Sequence, residues 1–310
     1  MSSILKKSDI KPFAKDLTFC SLCATFFGIS QIIIAFIFSK TPLVNSNEFY
    51  GIAYLVYCVI CSFFAVIFSK KNPNKIEVNR EKSSPKKMFF CFCYMIGLMV
   101  LFTFPVILID FILMPFGYTL QSIGSANEVS TSITEFIYVA FAGPICEELI
   151  FRKFIQERFM KYSPVIAIIV SAISFGVYHC NFGQTFPMIG TGLVFGYVAY
   201  KFSVKYSLIL HIIYNLFFGE IFGIISDFLN KGNEEFVIPV LNMSPFLCCI
   251  LLLALIGVIR FYFKFMKEGK KIFPEYKIRF KKLKYLFYSK GFDIFLLYGI
   301  GTSFLFLEKL

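Results

Sequence analysis

Apolar residues in this chain come in long unbroken runs, not in the two-residue alternation of half-buried strands. Nine such segments can be marked: Leu17 to Ser39, Phe49 to Ser69, Met88 to Met114, Ile133 to Phe151, Val165 to His179, Phe186 to Tyr200, Tyr206 to Ile224, Ser244 to Phe263 and about Leu286 to Leu307. A helix needs about 20 apolar residues to cross the hydrocarbon core of a bilayer. The pattern therefore predicts an all-α fold, a polytopic membrane helix bundle of about eight to nine transmembrane helices around an intramembrane polar cavity. The ninth segment is the weakest, because Lys290 and Asp293 interrupt it and Gly299 and Gly301 follow. It either spans or lies along the interface.

The polar stretches between these runs carry their charge unevenly. The N-terminal tail and every second loop hold 27 Lys and Arg residues, and the alternate loops hold 2. Basic residues stay on the cytoplasmic side of short loops, so an integral, multi-pass membrane protein with a cytoplasmic N-terminus is expected. Composition agrees: 57% of residues are hydrophobic, mean hydropathy is +0.73, and there are 43 Phe and no Trp. The net charge of +12 would in a soluble chain point to nucleic acid. Its confinement to alternate loops assigns it to topology instead, with the lipid bilayer as partner and no nucleic acid. The first apolar run lacks a small-residue cleavage signal and reads as a retained span.

Three regions follow: 1–131, an N-terminal three-helix transmembrane region whose basic cytoplasmic loop runs from Lys70 to Lys87; 132–224, a helical core; and 225–310, a C-terminal transmembrane helix or helices with a second basic cytoplasmic loop. Ser163-Pro164 predicts a helix start, a capping hydroxyl followed by proline at the first helical position. Asn181 and Gly183 predict an early end to the fifth helix. Gly192 and Gly196, four apart, predict a close helix approach. All ten cysteines lie in or beside apolar runs and read as small hydrophobes, including Cys20-x-x-Cys23 and Cys58-x-x-Cys61.

The core region holds the chemistry. Cys146-Glu147-Glu148-Leu149-Ile150-Phe151-Arg152 puts three charges into an apolar context, and the only two histidines of the chain lie in the later segments Phe175-Gly-Val-Tyr-His179 and His211-Ile-Ile-Tyr-Asn215. Ionisable groups at membrane depth cost about 3 kcal/mol each and mark functional sites. On a helix Glu148 and Arg152 form an i,i+4 pair in the favourable order, which leaves Glu147 on a neighbouring face without a local partner. Phe175 with His179, and His211 with Asn215, share faces in the same way. A hairpin turning near Ser163 places Glu147 and His179 each 16 residues from the turn, at one depth. A carboxylate, two imidazoles and a carboxamide suffice for hydrolysis by activated water. Cys146 and Cys180, beside Glu147 and His179, keep a sulfur nucleophile as an alternative, though adjacent helix positions point about 100° apart.

The ordered patterns Glu-Glu-x-x-x-Arg, Phe-x-x-x-His and His-x-x-x-Asn on successive membrane helices resemble the CPBP family of CAAX proteases and bacteriocin-processing proteins, also called Abi. The resemblance runs from about Ser132 to Gly223 and implies an intramembrane glutamic endopeptidase acting on a membrane-associated peptide or protein near the membrane surface. It implies Glu147 as the group that activates water, with His179, and His211 and Asn215 as oxyanion stabilisers. Glu148 and Arg152 read as the orienting ion pair. No cofactor is expected. Zinc at Glu147, His179 and His211 is the mechanistic alternative, although His-Glu-x-x-His is absent and Asn is a poor zinc ligand. A bacteriocin self-immunity or regulatory membrane-binding protein without catalysis is the functional alternative, and an ion or proton pathway a third. The family's eukaryotic members trim prenylated Cys-a-a-X proteins, while bacterial ones are linked to peptide maturation and immunity.

Overall fold

The structure, a computed structural model, describes residues 10–71, 79–120, 130–221, 224, 250–263, 289–304 and 307–309. Among the described residues the chain is all-α apart from one short ribbon. Helices α1 (Ile10–Phe38), α2 (Phe49–Lys70) and α3 (Pro85–Leu113) come first. Helix α4 (133–159) follows and is of mixed type, α5 is Pro164–Tyr178, α6 is Phe182–Lys201, and α7 (Val204–Asn215) runs on into a π turn at Leu216–Ile221. Then come α8 (Ile250–Phe263) and α9 (Lys290–Ser303). Strand β1 (Tyr118–Leu120) pairs antiparallel with β2 (Leu307–Lys309), an addition that three-residue strands give no periodic signal to foresee.

Among the described residues three helices are long and apolar enough to cross a membrane: Ile10–Phe38, Phe49–Lys70 and Pro85–Phe116. Helices α5 and α8 are apolar but shorter. The long helices leave Phe36, Phe63, Phe104 and Phe111 more than 60% exposed, an outer surface that suits lipid and not water. The chain is a membrane protein.

Several helix ends depart from the sequence-based bounds. Pro164 does open α5, but the Ser163 hydroxyl makes no capping bond. Asn181 ends nothing on its own: its side chain accepts from the Gly183 N–H at 2.9 Å, so it caps α6, which starts at Phe182, four residues before the apolar run. The break lies instead at Cys180, whose φ of 52° is left-handed and turns the chain between α5 and α6. Lys290 and Asp293, expected to interrupt the ninth segment, occupy the first turn of α9, where Ser289 caps the Phe292 N–H at 3.1 Å and Asp293 suits the positive end of the helix dipole.

The interior is aromatic, with Phe27, Phe151, Phe154, Phe159, Phe175, Phe195 and Phe295 all below 2% exposed. Helices α5 and α6 pack most extensively, and α6 also lies on α3, α2 on α4, and α1 on both α2 and α9. Gly192 and Gly196 face α5 closely: a Cβ at Gly192 would sit 3.1 Å from Ala172 Cα and one at Gly196 would sit 3.2 Å from Ile168. The four-residue glycine spacing is thus a packing device. At one end of the bundle Asp16 on α1 accepts from Arg158 at 2.9 Å, Lys161 at 2.7 Å and the Tyr162 hydroxyl at 2.7 Å, clasping α1 to the α4–α5 turn. Nearby, Glu81 pairs with Lys201 at 2.8 Å and Lys87 at 3.6 Å. The Lys201 hydrogen bond holds the Glu81 carboxyl below the usual carboxylate range.

Candidate active site

The site is built on α4, and α4 is not a regular helix. Ile133–Ile137, Gly143–Glu147 and Glu157–Phe159 are α-helical, while Tyr138–Ala142 and Glu148–Gln156 are π-helical. π segments are rare and concentrate at functional sites. Here they flank Glu147 on both sides, and the widened backbone sends Glu147 and Glu148 towards the same partner on α7.

That partner is His211. Its Nδ1 lies 3.2 Å from Glu148 Oε1 and its Nε2 lies 3.4 Å from Glu147 Oε2. The imidazole is therefore a bridge between two carboxylates 63 and 64 residues away in sequence. Glu148 is the buried one, 2% exposed at its side chain, and Glu147 is 20% exposed. The same Glu148 oxygen also sits 3.4 Å from Arg152 Nε, an ion pair whose geometry falls short of a hydrogen bond. Arg152 instead donates from Nη1 to Ser171 Oγ at 2.6 Å, and Ser171 donates onward to the Phe151 carbonyl at 2.9 Å. Glu148 Oε2 and Arg152 Nη2 find no hydrogen-bond partner among the described residues.

Aromatic rings hold this charged cluster in place. The Arg152 guanidinium lies over Phe175 at 5.0 Å and over Phe195 at 5.7 Å. His211 stacks on Phe195 at 4.5 Å with an interplanar angle of 24° and meets Phe175 edge-on at 5.7 Å. Phe175 also meets His179 edge-on at 4.9 Å. One phenyl ring thus touches both histidines. Phe195 is itself fixed, since its carbonyl accepts from Ser207 at 3.0 Å and the next carbonyl, Gly196, accepts from Gln156 at 2.9 Å.

His179 sits at the C-terminal end of α5, with Nδ1 2.8 Å from the Phe175 carbonyl oxygen. A carbonyl can only accept, so Nδ1 carries the proton and the neutral ring presents a lone pair at Nε2. Glu147 is near enough to interact electrostatically with this imidazole. Asn215, one turn beyond His211, donates from Nδ2 to the Val139 carbonyl at 2.8 Å, a contact with the first π turn of α4 and not with another motif residue. The structure thus brings Glu147, Glu148, Arg152 and His211 into direct contact, joins His179 to them through Phe175, and docks Asn215 beside them.

Ser171, Phe195, Ser207 and Gln156 support the cluster and lie outside the three motifs. Sequence offered no signal for them, because buried Ser and Gln in apolar helices look like ordinary packing. Among the described residues no three His, Cys, Asp or Glu side chains are grouped so as to hold a metal ion, and both nitrogens of His211 are aimed at carboxylates. Cys146 is buried and lies close to Cys58 on α2.

A family model described as type II CAAX prenyl endopeptidase Rce1-like matches residues 129–217, a stretch that contains all seven motif residues and is consistent with the CPBP family. Among curated proteins, an uncharacterized protein of Mycoplasma capricolum subsp. capricolum is similar at 26% identity over 210 residues, covering 61% of this chain and 61% of that protein. The chain thus spans about 61% of the length of this curated relative. No solved structure matches.

Proposed function

From a helical core that matches the type II CAAX prenyl endopeptidases, we propose that this protein is an intramembrane endopeptidase that hydrolyses a peptide bond near the membrane surface with water as nucleophile. The observation that carries the reading is the convergence of Glu147, Glu148 and His211, with His179 across the Phe175 ring, on three separate helices inside the matched stretch. A structural polar cluster has no need of an imidazole held in one orientation by a backbone carbonyl at Nδ1.

In this mechanism Glu147, the more accessible of the two carboxylates, takes a proton from water, aided by Nε2 of His179. The water oxygen attacks the carbonyl carbon, and the negative charge that develops on the carbonyl oxygen is met by His211 and Asn215 as hydrogen-bond donors. The proton on Glu147 then passes to the departing amine. Glu148 and Arg152 keep α4 in register and hold His211 from its other side. The hydrogen-bonding capacity left at Glu148 and Arg152 suits a site that takes up water and a polar peptide group. Zinc at Glu147, His179 and His211 is the competing mechanism, and no step here runs through it.

In the same reading the remaining apolar segments complete a multi-pass bundle of eight to nine spans with the N-terminus in the cytoplasm, and the site opens into a polar cavity within the membrane. The substrate is a membrane-associated peptide or protein, prenylated or not.

The test uses purified protein in lipid nanodiscs with two quenched-fluorescent peptides, a farnesylated Cys-a-a-X octapeptide and its unprenylated counterpart. Glu147→Gln preserves shape and removes the proton acceptor, so kcat is expected to fall by about 10²- to 10⁴-fold with an unchanged melting transition. Parental turnover by Glu147→Gln refutes the mechanism. Activity lost in a strong chelator and restored by zinc replaces it with the metal one.

A further inference from the structure

Helix α9 lies outside the stretch that the family model matches, yet it packs on the end of α5 that carries His179. Its buried residues Gly291, Phe295, Gly299 and Ser303 recur every four positions and form one face of the helix. That face is fixed along its length. At its start the Ser289 and Thr18 hydroxyls are hydrogen-bonded at 2.9 Å, and a Cβ at Gly291 would stand 2.8 Å from the Thr18 backbone. Further along, the Tyr298 hydroxyl fits over Gly28 of α1, where a Cβ would stand 2.5 Å from it. Beyond its end, β2 pairs with β1.

The turn that α9 meets is short and strained. Helix α5 ends at Tyr178 and α6 starts at Phe182, so His179, Cys180 and Asn181 link the two. Among the described residues Cys180 is the single non-glycine residue with a left-handed backbone, φ 52°, a conformation that an L residue keeps only where its surroundings impose it. The turn is closed by the Cys180 N–H, which donates to the Val177 carbonyl at 3.1 Å. The C-terminal end of α9 flanks it on both sides. Gly299 lies so close to Val177 that a Cβ would stand 2.5 Å from Val177 Cγ1 and 3.0 Å from that same carbonyl oxygen. Across the turn, the Phe304 ring just past α9 meets the Phe182 ring edge-on at 5.5 Å.

Helix α5 has little room to yield. On its other flank Gly176 rests on α6, where a Cβ would stand 2.4 Å from the Thr185 carbonyl oxygen. The end of α5 is thus pinned between α6 at Gly176 and α9 at Gly299, and His179 is the second residue after Val177. Its imidazole is held by the Phe175 carbonyl, 2.8 Å from Nδ1, and by the Phe175 ring at 4.9 Å. Both contacts are internal to the α5 end. They orient the ring on its own helix, and the packing of that helix end sets where the ring stands relative to Glu147 of α4.

We propose that Gly299 of α9 is a positioning residue for the reaction: its bare backbone lets α9 brace the end of α5 and thereby sets the place of His179 at the site. The brace acts through Val177 and the Cys180 turn, and it touches neither substrate nor the reacting atoms. Its catalytic consequence rests on the endopeptidase reading above. The placement of the imidazole does not.

Gly299→Ala adds one methyl group at the contact, and Gly301→Ala, two residues on, adds the same group where nothing lies within 4 Å. Both replace glycine by a better helix former, so propensity cancels between them. The chain has two histidines, so protein carrying an isotope label at histidine Cε1 and a histidine-free tag gives two ring signals by magnetic resonance, assigned with His179→Gln. In nanodiscs, Gly299→Ala is expected to displace the His179 signal and leave that of His211. On the same two peptides it is expected to lower kcat about 10- to 100-fold with KM within about threefold of parental. Gly301→Ala is expected to match parental protein in signals, kcat and KM. Where Gly299→Ala lacks a cooperative melting transition, Val177→Ala loosens the same contact from the α5 side and carries the same expectation. A His179 signal at its parental position overturns the proposal, as does a displaced signal with parental kcat, or an equal displacement in Gly301→Ala. Parental protein that cleaves neither peptide overturns the endopeptidase reading, and the His179 signal then still decides the placement.

Discussion

Replacing Glu148 by Gln isolates what the buried ion pair does. The substitution keeps volume and shape, but it leaves Arg152, fully buried at its side chain, without its paired carboxylate. What remains to the guanidinium is the Ser171 hydroxyl at 2.6 Å and the faces of Phe175 and Phe195 at 5.0 and 5.7 Å. These persist in both proteins, so they cancel from the difference. Removing one partner of a buried pair costs about 3–5 kcal/mol, which at 1.4 kcal/mol per factor of ten is a shift of more than about 100-fold in the unfolding equilibrium. The companion variant, Glu148→Leu with Arg152→Met, removes both charges and leaves none uncompensated. It is expected to lie within about 1 kcal/mol of parental protein, because an apolar replacement of a whole buried pair is often neutral. The double variant strips His211 of its Nδ1 partner at 3.2 Å, and Glu148→Gln replaces that carboxylate by a neutral amide, so both are expected to lose activity whatever their stability. The assay is reversible unfolding in mixed micelles, followed by near-ultraviolet circular dichroism, with peptide hydrolysis in parallel. Glu148→Gln as stable as the parent, or a double variant as unstable as the single one, would refute the reasoning and leave packing alone as the force that holds α4.

Cys146→Ala and Cys180→Ala are expected to keep turnover within a few-fold of parental and iodoacetamide to inhibit little, because Cys146 is buried against Cys58. Abolished turnover in folded Cys146→Ala or Cys180→Ala protein reassigns the nucleophile to sulfur. For topology, Lys82→Cys is expected to label from the cytoplasmic side and Asn45→Cys from the outer side, in a background without reactive native cysteines; both positions are exposed. Labelling of Asn45→Cys from the cytoplasm alone inverts the orientation.

Much of this arrangement could be read from the chain before its fold was known, and the parts that could not share a physical cause. The long apolar runs of α1, α2 and α3 announce themselves because nothing but a lipid-facing helix needs them. The Glu148–Arg152 pair and the Phe175–His179 contact follow from helical spacing, and both survive in the structure at 3.4 and 4.9 Å. Polar residues at helix ends were harder to read. Asn181, Lys290 and Asp293 look in sequence like interruptions, yet each sits at a helix N-terminus, where Asn181 serves as a cap and Asp293 meets the favourable end of the dipole, while Lys290, a cation at that end, gains neither. A hydropathy pattern counts such residues against a helix that they in fact begin.

The deeper loss of legibility comes from the two π segments of α4. Every inference from spacing assumes about 100° per residue, and one extra residue in a turn shifts all later positions relative to earlier ones. Within each α-helical stretch the assumption holds, but Glu147 and Glu148 straddle a boundary between α and π segments, and the separation expected of them gives way to a shared partner in His211. Across the Tyr138–Ala142 turn it fails, because that π turn absorbs one extra residue. The second segment, Glu148–Gln156, keeps Glu148 and Arg152 paired while the backbone widens enough for His211 of α7 to reach both glutamates. A regular helix would present Glu147 and Glu148 to different neighbours, one to solvent and one to the core. The irregular one gives a single imidazole to both, so that the accessible carboxylate, placed to work on water, is tied through one ring to the buried carboxylate that answers Arg152. Positioning and chemistry are thereby coupled: a change at Arg152 or Ser171, neither of which touches substrate in this mechanism, is transmitted to Glu147 through two contacts of 3.2 and 3.4 Å.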